Sequence, residues 1–207
     1  MRQADAPEKY STARYDRIAP HYDSALRPLD RWFLARLRAK VFQYLPDDGR
    51  ILELGAGTGR NFGFYSDYNF NVATEPSREM LRVAETKKRP GAVKLIQCSA
   101  EHLPFADNSF DAAFATLVFC SLADPAAAFS ELRRVIKNGG VVVLLEHVRP
   151  LGLLGPVFDL LNLATVPLCD DHFNRRTADD AKRNGMELVK LERSLLGIMN
   201  LIICRVR

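Results

Sequence analysis

The chain has 207 residues, 47% of them apolar and 26% charged, with a formal net charge of +4. That length suits one domain with a full core, and the modest, dispersed charge argues against a nucleic-acid binder, which shows a denser basic patch. Cys98, Cys120, Cys169 and Cys204 lie far apart without a CxxC pair, so neither a disulfide frame nor a zinc site is expected.

Met1 to Lys9 is polar and expected to be loose, and without an apolar core the N-terminus does not read as a signal peptide. No apolar run approaches the length of a membrane span, and a cytoplasmic protein is expected. From Arg27 to Leu45 the pattern turns helical. Leu29, Phe33, Leu37, Val41 and Leu45 recur every four residues, with Trp32 and Phe42 beside them. Arg31, Arg36, Arg38 and Lys40 fill much of the rest, and Pro46-Asp47-Asp48-Gly49 breaks the helix. Arg50 to Leu54 is then a short strand ending in a glycine loop, and Asn71 to Thr74 a second strand. Ser77 to Lys88 reads as a helix with Met80, Leu81 and Ala84 on one side, and Val93 to Gln97 as a third strand. Asp107-Asn108-Ser109 turns into a fourth strand, Phe110 to Thr116. Asp124 caps a helix with Pro125 in its first turn, which carries Phe129, Leu132 and Ile136 and stops at Asn138-Gly139-Gly140. Val141 to Leu145 is aliphatic throughout, like a central parallel strand buried on both faces.

After Pro150 the alternation lapses into an apolar stretch, Leu151 to Leu168, interrupted by Gly152, Gly155, Pro156, Asp159 and Pro167. Thr177 to Asn184 is a helix closed by Gly185, and Met186 to Glu192 and Ile198 to Arg205 are the last strands. The expected fold is α/β. It is a Rossmann-like doubly wound sheet of about seven strands, mostly parallel with an antiparallel C-terminal strand, and helices on both faces. Ligands in such sheets bind at the carboxyl ends of the strands.

The strongest motif stands there: Glu53-Leu54-Gly55-Ala56-Gly57-Thr58-Gly59, after a strand and before a helix. Glycine lets the chain turn tightly and a ligand approach closely. The dinucleotide fingerprint G-x-G-x-x-G would need a glycine where Arg60 stands, and the Gly-Lys-Ser/Thr ending of a phosphate-binding loop is absent. The string E-x-G-x-G-x-G resembles that of class I methyltransferases, whose cofactor carries a sulfonium and an ammonium. A carboxylate at Glu53 favours such a ligand and would repel a pyrophosphate. Glu75, at the end of the second strand, is placed to accept two hydrogen bonds from a ribose diol.

The chain resembles the ubiquinone/menaquinone-biosynthesis branch of that family. The residues that carry the likeness are Tyr15-Asp16-Arg17-Ile18-Ala19-Pro20-His21-Tyr22-Asp23, Ser99-Ala100-Glu101-His102-Leu103-Pro104-Phe105, Asp107-Asn108-Ser109-Phe110-Asp111 and Leu132 to Gly140. Thr58 to Tyr65, Thr116 to Ser121 and Glu146-His147-Val148 are similar to the methyltransferase-like thiol S-methyltransferases, and some bacterial phospholipid N-methyltransferases share the build. The resemblance implies one methyltransferase domain over 1–207, with a helical lid at 1–46, a cofactor-binding core at 47–150, and a substrate-side insertion with the C-terminal strands at 151–207. It implies S-adenosylmethionine as cofactor, S-adenosylhomocysteine as product, and no metal. By position, Gly55, Ala56 and Gly57 face the methionine part, with Glu53, Gly59 and Asn61 completing the loop, and Glu75 binds the ribose. Ser99 and Ala100 edge the adenine beside Glu101. Relatives usually have Asp where this chain has Ser99, and a hydroxyl grips the amino group more weakly than a carboxylate. Pro76 or Met80 packs the adenine face, with core packing an equal reading for Met80. Thr116 and Leu117 end the fourth strand near the transferred methyl.

Methyl transfer from a sulfonium is mostly a matter of positioning, and a base is needed only if the acceptor must lose a proton. Tyr15 and Tyr22, in the entry segment that folds over the cofactor by resemblance, are candidates to orient the acceptor; each reads equally as a buried anchor. His147, at the end of the fifth strand, is a candidate base, and His172 a weaker one. Arg175 and Arg176 read either as a grip on an anionic head group or as a solvated loop. The stretch Leu153 to Leu168 reads as an acceptor channel, a membrane-facing patch or a cover for the sheet, and the basic helix Arg27 to Leu45 either joins such a patch or covers the sheet. The expected acceptor is small and largely apolar: a thiol, a quinol-like ring or a lipid head group. Thr116-Leu117-Val118-Phe119 lacks the Asn/Asp-Pro-Pro-aromatic string of base amino-group methylation, so no nucleic acid is expected. A non-catalytic cofactor-binding module is the alternative, and the sequence carries no signal for an oligomeric state.

Overall fold

The computed structural model describes residues 12–65, 70–90, 93–148 and 175–207. Met1 to Lys9, the apolar stretch Leu151 to Leu168, Cys169 and His172 fall outside the described residues. The N-terminal part is one continuous helical run: α1 (Thr12–Leu29), a π-helical turn (Asp30–Leu34) and α2 (Ala35–Phe42). Leu34, Leu37, Val41 and Leu45 are buried and pack with Ile51, Phe114, Val143 and Leu145 of the sheet. Phe33 is partly buried against the same cluster, but the every-fourth stripe ends there, since Leu29 beyond the π turn is 51% exposed. Trp32, nine residues before Val41 and so on the opposite side of the helix, is 81% exposed. Arg38, grouped with the solvent-side cations by sequence, is 4% exposed, since it stands at i+4 from Leu34 and i−3 from Val41.

Seven strands follow: β1 (Arg50–Leu54), β2 (Phe70–Thr74), β3 (Lys94–Ile96), β4 (Phe110–Thr116), β5 (Ile136–His147), β6 (Glu187–Ser194) and β7 (Met199–Arg205). Their order is β3-β2-β1-β4-β5-β7-β6. β7 is antiparallel to both neighbours, so it alone runs against the other six. The fifth strand begins earlier than the sequence suggests. Ile136 pairs with Phe110 and belongs to the strand, and the register then slips so that Ala112 faces Val141. The intervening Asn138-Gly139-Gly140 bulges, with Gly139 at φ 78°.

Three shorter helices complete the layers: α3 (Arg78–Glu85), α4 (Pro125–Val135) and α5 (Thr177–Arg183). Phe129, Leu132, Val135 and Ala181 of α4 and α5 pack one sheet face against Leu144, Ile202 and Cys204. α2 covers the other face at β4 and β5, and Ala84 of α3 packs with Ala73 and Val93 beside it. No helix among the described residues is long and apolar enough to cross a membrane. Cys98, Cys120 and Cys204 are free thiols.

Asp124 accepts from the backbone N–H of Ala126 (3.0 Å) and Ala127 (3.1 Å). Asp124→Ala is therefore expected to lower unfolding free energy by about 1 kcal/mol, and Trp32→Ser to leave it within about 0.5 kcal/mol. Urea denaturation of both variants measures the two changes.

Candidate functional site

β1 has β2 on one side and β4 on the other, so its connections leave in opposite directions and a crevice opens at its carboxyl end. The crevice is a cleft of about 720 Å³ of atom-free space, open mouth included. Its floor is Gly55, Ala56, Gly57 and Thr58; one wall is Glu75, Pro76 and Met80, the other Thr116, Leu117, Val118, Ser121 and Leu122. Tyr15, Tyr22 and Arg38 close it from the helical run.

Two glycines explain the floor. Gly55 has φ 63°, and a Cβ there would lie 2.5 Å from Val118 Cγ2, so only glycine admits the close packing of the loop on the β4 terminus. Gly57 has φ 55°, and a Cβ there would meet nothing within 4 Å. Its bare Cα faces open space, the room that a ligand resting on the backbone needs. Glu75 closes the loop: its carboxylate accepts from Gly57 N–H at 2.9 Å and Ser77 N–H at 3.0 Å. Burial pushes its pKa up to about 7, against the pull of those two donors, with Glu53 and Asp16 adding repulsion. Each oxygen keeps acceptor capacity toward the cleft.

A buried polar chain ties lid to floor. Arg38 Nη1 donates to Thr116 Oγ1 (2.7 Å) and Asn61 Oδ1 (2.9 Å), and its Nε to Asp30 Oδ1 (3.2 Å). Arg60 pairs with Asp30 (2.6 Å) and Asp23 (2.9 Å). Asp23 also accepts from Thr58 Oγ1 (2.7 Å) and pairs with Lys87 (2.5 Å). Asp16 Oδ1 accepts from Ser77 Oγ (2.6 Å) and Glu79 N–H (3.1 Å). Asp16, Asp23 and Asp30 are seven residues apart, so they share one face of α1 and its π-helical extension and fasten it along its length. Tyr15 hydroxyl meets Ser121 Oγ at 2.8 Å across the cleft mouth. Burial raises the Tyr22 phenol to about 12, although the Arg38 guanidinium pulls the other way.

Of the residues singled out by sequence, Tyr15, Tyr22, Gly55, Ala56, Gly57, Glu75, Pro76, Met80, Thr116 and Leu117 line the cleft together. Glu53, Gly59, Asn61, Ser99, Ala100, Glu101 and His147 are not among its lining residues. Glu53 is 1% exposed behind the floor, bonded by Asn61 Nδ2 at 2.5 Å and by the Tyr65 hydroxyl. Burial raises its pKa, opposed by those two bonds. Asn61 lies between Glu53, Thr116 and Arg38, and Gly59 admits the Phe62 ring at 2.3 Å from where a Cβ would stand. Ser99 and Glu101 bond each other. His147 is on the face opposite Glu146 by strand alternation and is 8% exposed. Sequence reasoning missed Arg38, Thr58, Arg60, Val118, Ser121 and Leu122. Arg38 is detectable as a cation at helical spacing from Leu34 and Val41; Arg60 enters the sequence pattern as the residue that breaks the dinucleotide fingerprint.

Residues 52–144 match the methyltransferase domain family. A demethylmenaquinone methyltransferase of Paenarthrobacter aurescens is 34% identical over 147 residues, covering 70% of this chain and 57% of the relative. A ubiquinone/menaquinone biosynthesis C-methyltransferase of Syntrophotalea carbinolica is 34% identical over 153 residues, 66% of this chain and 60% of its own. The chain thus spans less than two thirds of the curated relatives it matches. Among solved structures, a methyltransferase of Thermotoga maritima superposes with a TM-score of 0.73 at 21% identity, over 96% of this chain and 100% of that one. At that identity the likeness concerns the fold.

Burial works against the Asp23 charge, but bonds from Lys87, Thr58 and Arg60 outweigh it and hold its pKa below the usual 3.8. A lowered carboxylate pKa stabilises the lid above pH 3.8, and that support is lost as pH falls through the folded value. Asp23→Ala is expected to speed hydrogen exchange in α1 by about tenfold and leave β4 and β5 unchanged. Unchanged exchange in α1 would show that other contacts hold the lid.

Proposed function

The chain carries a class I methyltransferase domain and resembles the ubiquinone/menaquinone-biosynthesis branch, and on that premise we propose that it moves the methyl group of S-adenosylmethionine to a small, largely apolar acceptor. The observation that carries this reading is the pairing of an open Gly57 with a Glu75 carboxylate at the rim of a covered cleft. Residues 1–46 would then act as the lid, 47–150 as the cofactor core and 151–207 as the acceptor side.

In that reading Gly55, Ala56 and Gly57 carry the methionine part, and Glu75 takes the ribose diol. Pro76 and Met80 offer an apolar face to the adenine. Thr116 and Leu117 end the strand beside the reacting end of the cleft. Arg38 adds a cation for the amino-acid carboxylate, the one negative group of an otherwise cationic ligand. Glu53 and Asn61 act from behind, by holding Arg38 and Thr116 in place. Ser99, Ala100, Glu101 and His147, outside the lining, receive no role.

The bound cofactor supplies an electrophilic methyl on a sulfonium. The protein's part is to position the acceptor and exclude water. Tyr22, with its phenol raised to about 12, stays protonated near neutral pH and donates a hydrogen bond rather than acting as a base. Tyr15 and Ser121 close the mouth. Pro76, Met80, Leu117, Val118 and Leu122 make the cleft largely apolar, which suits a thiol, a quinol-like ring or the apolar part of a lipid. The relatives are named for demethylmenaquinone, and that ring chemistry favours the quinol-like member of the set. Ile18, Leu29 and Trp32 are exposed on the helical run, which also carries the exposed cations Arg27, Arg31 and Arg36, a composition suited to peripheral contact with an anionic membrane.

Calorimetry with S-adenosylhomocysteine and NADH tests the cofactor. Adenosylhomocysteine is expected to bind and NADH not; Glu75→Gln and Arg38→Met should each weaken binding about tenfold or more. No binding of adenosylmethionine or adenosylhomocysteine by folded protein overturns the reading. Ribose hydroxyls donate to the charged form of Glu75, so wild-type affinity should rise as pH is raised through about 7 and then level off. Glu75→Gln should flatten that rise.

A further inference from the structure

A second pocket shares no described lining residue with the cleft. It encloses about 540 Å³ of atom-free space, open mouth included, between the N-terminal part of α5 and the β6–β7 hairpin. Arg175, Arg176 and Arg193 line it together with Thr177 and Asn200, and Asp179 is the one carboxylate among the described lining residues. Arg176 and Arg193 form no ion pair among the described residues; Arg175 Nη2 donates to the Leu122 carbonyl at 2.6 Å. Thr177 is 2% exposed and Asn200 6%, yet Thr177 Oγ1 and Asn200 Oδ1 have no hydrogen-bond partner. Buried polar groups are nearly always satisfied, so two orphans facing one arginine-lined pocket mark a missing partner.

We propose that this pocket binds a phosphate group. Arg176 and Arg193 line one pocket without an ion pair among the described residues, and an anion between them would relieve their repulsion. The Arg176 and Arg193 forks and the Thr177 hydroxyl converge as donors, which suits the three or four acceptor oxygens of a phosphate. Asn200 Oδ1 needs a donor, which a singly protonated phosphate or a hydroxyl next to a phosphate ester provides. The strand register builds the site: Arg193 faces Asn200, and Asn200 faces Glu146, so the three share one face of the sheet. Glu146 Oε1 in turn accepts from Val118 N–H (3.0 Å) and Phe119 N–H (3.1 Å). The site therefore borders the cleft wall through Glu146 from below and through Arg175 and Leu122 from the side. The inference stands apart from the proposed methyl transfer, since none of its residues lines the cofactor cleft.

The phosphate has two sources, a soluble phosphomonoester or the head group of a phospholipid. The test is calorimetric titration of the full chain at fixed ionic strength with inorganic phosphate and glycerol 3-phosphate, beside sedimentation with vesicles containing phosphatidic acid. Wild type, Arg193→Ala, Arg193→Lys and Thr177→Val are compared, and thermal unfolding and adenosylhomocysteine binding are followed in the same samples. Saturable binding of the soluble phosphates, weakened about tenfold or more by Arg193→Ala and less by Arg193→Lys, supports the site with a soluble ligand. Binding to phosphatidic acid vesicles alone, lost in Thr177→Val and Arg193→Ala, supports it with a lipid head group. Arg193 is exposed, so its variants keep the test valid if Thr177→Val fails to fold. No saturable binding in any arm, or binding equal in wild type and the Arg193 variants, overturns the proposal whatever the cofactor result.

Discussion

A guanidinium cannot leave water without partners, and the placing of Arg38 is the constraint on which the site depends. Its partners come from the π-helical turn (Asp30), the end of the glycine loop (Asn61) and the end of β4 (Thr116). Breaking a buried charge pair costs several kcal/mol, on the order of 3–5. Those three segments are therefore held in one arrangement, and the helical run cannot be repacked without stranding a charge. Arg60 extends the same logic to Asp23, and Asp23 to Thr58 and Lys87.

The α1 helix is fastened to the cleft by polar bonds rather than by an apolar seam. Ala19 is the buried residue of α1, while Asp16, Asp23 and Asp30 make the specific contacts. Polar fasteners of this kind have partners in water when they open, whereas a packed core does not. The floor is different: β1 and β4 bury nearly every side chain, β5 does so from Val142 onward, and together they give the glycine loop a firm base.

At the cleft wall, Leu117 has φ 60°, a left-handed conformation costing about 1–3 kcal/mol for a residue with a side chain. The cost is offset by three backbone donors: Leu117 N–H to Leu145 O at 2.8 Å, and Val118 and Phe119 N–H to Glu146. The chain thus turns sharply off β4 and carries Val118, Ser121 and Leu122 along the cleft wall.

Local pattern alone determined the strand–helix alternation, the Asp124 cap, the seven strands and the glycine loop, because each depends on residues within a few positions of one another. Met80, Leu81 and Ala84 are buried as their spacing requires, and Gly55, Gly57 and Glu75 meet as the motif spacing implies. Only the tertiary structure decided which charges are buried. Arg38 stands among the cations of a basic helix by pattern, and Glu53 reads as a cofactor contact; the fold makes the first a cleft residue and puts the second behind the floor. Leu29 left the apolar stripe at the far side of a π turn, which leaves no periodic trace in the sequence. Whether a charge is buried depends on partners far along the chain, such as Arg38 with Thr116 or Arg193 with Asn200 in the next strand, and such pairing is a property of packing rather than of spacing.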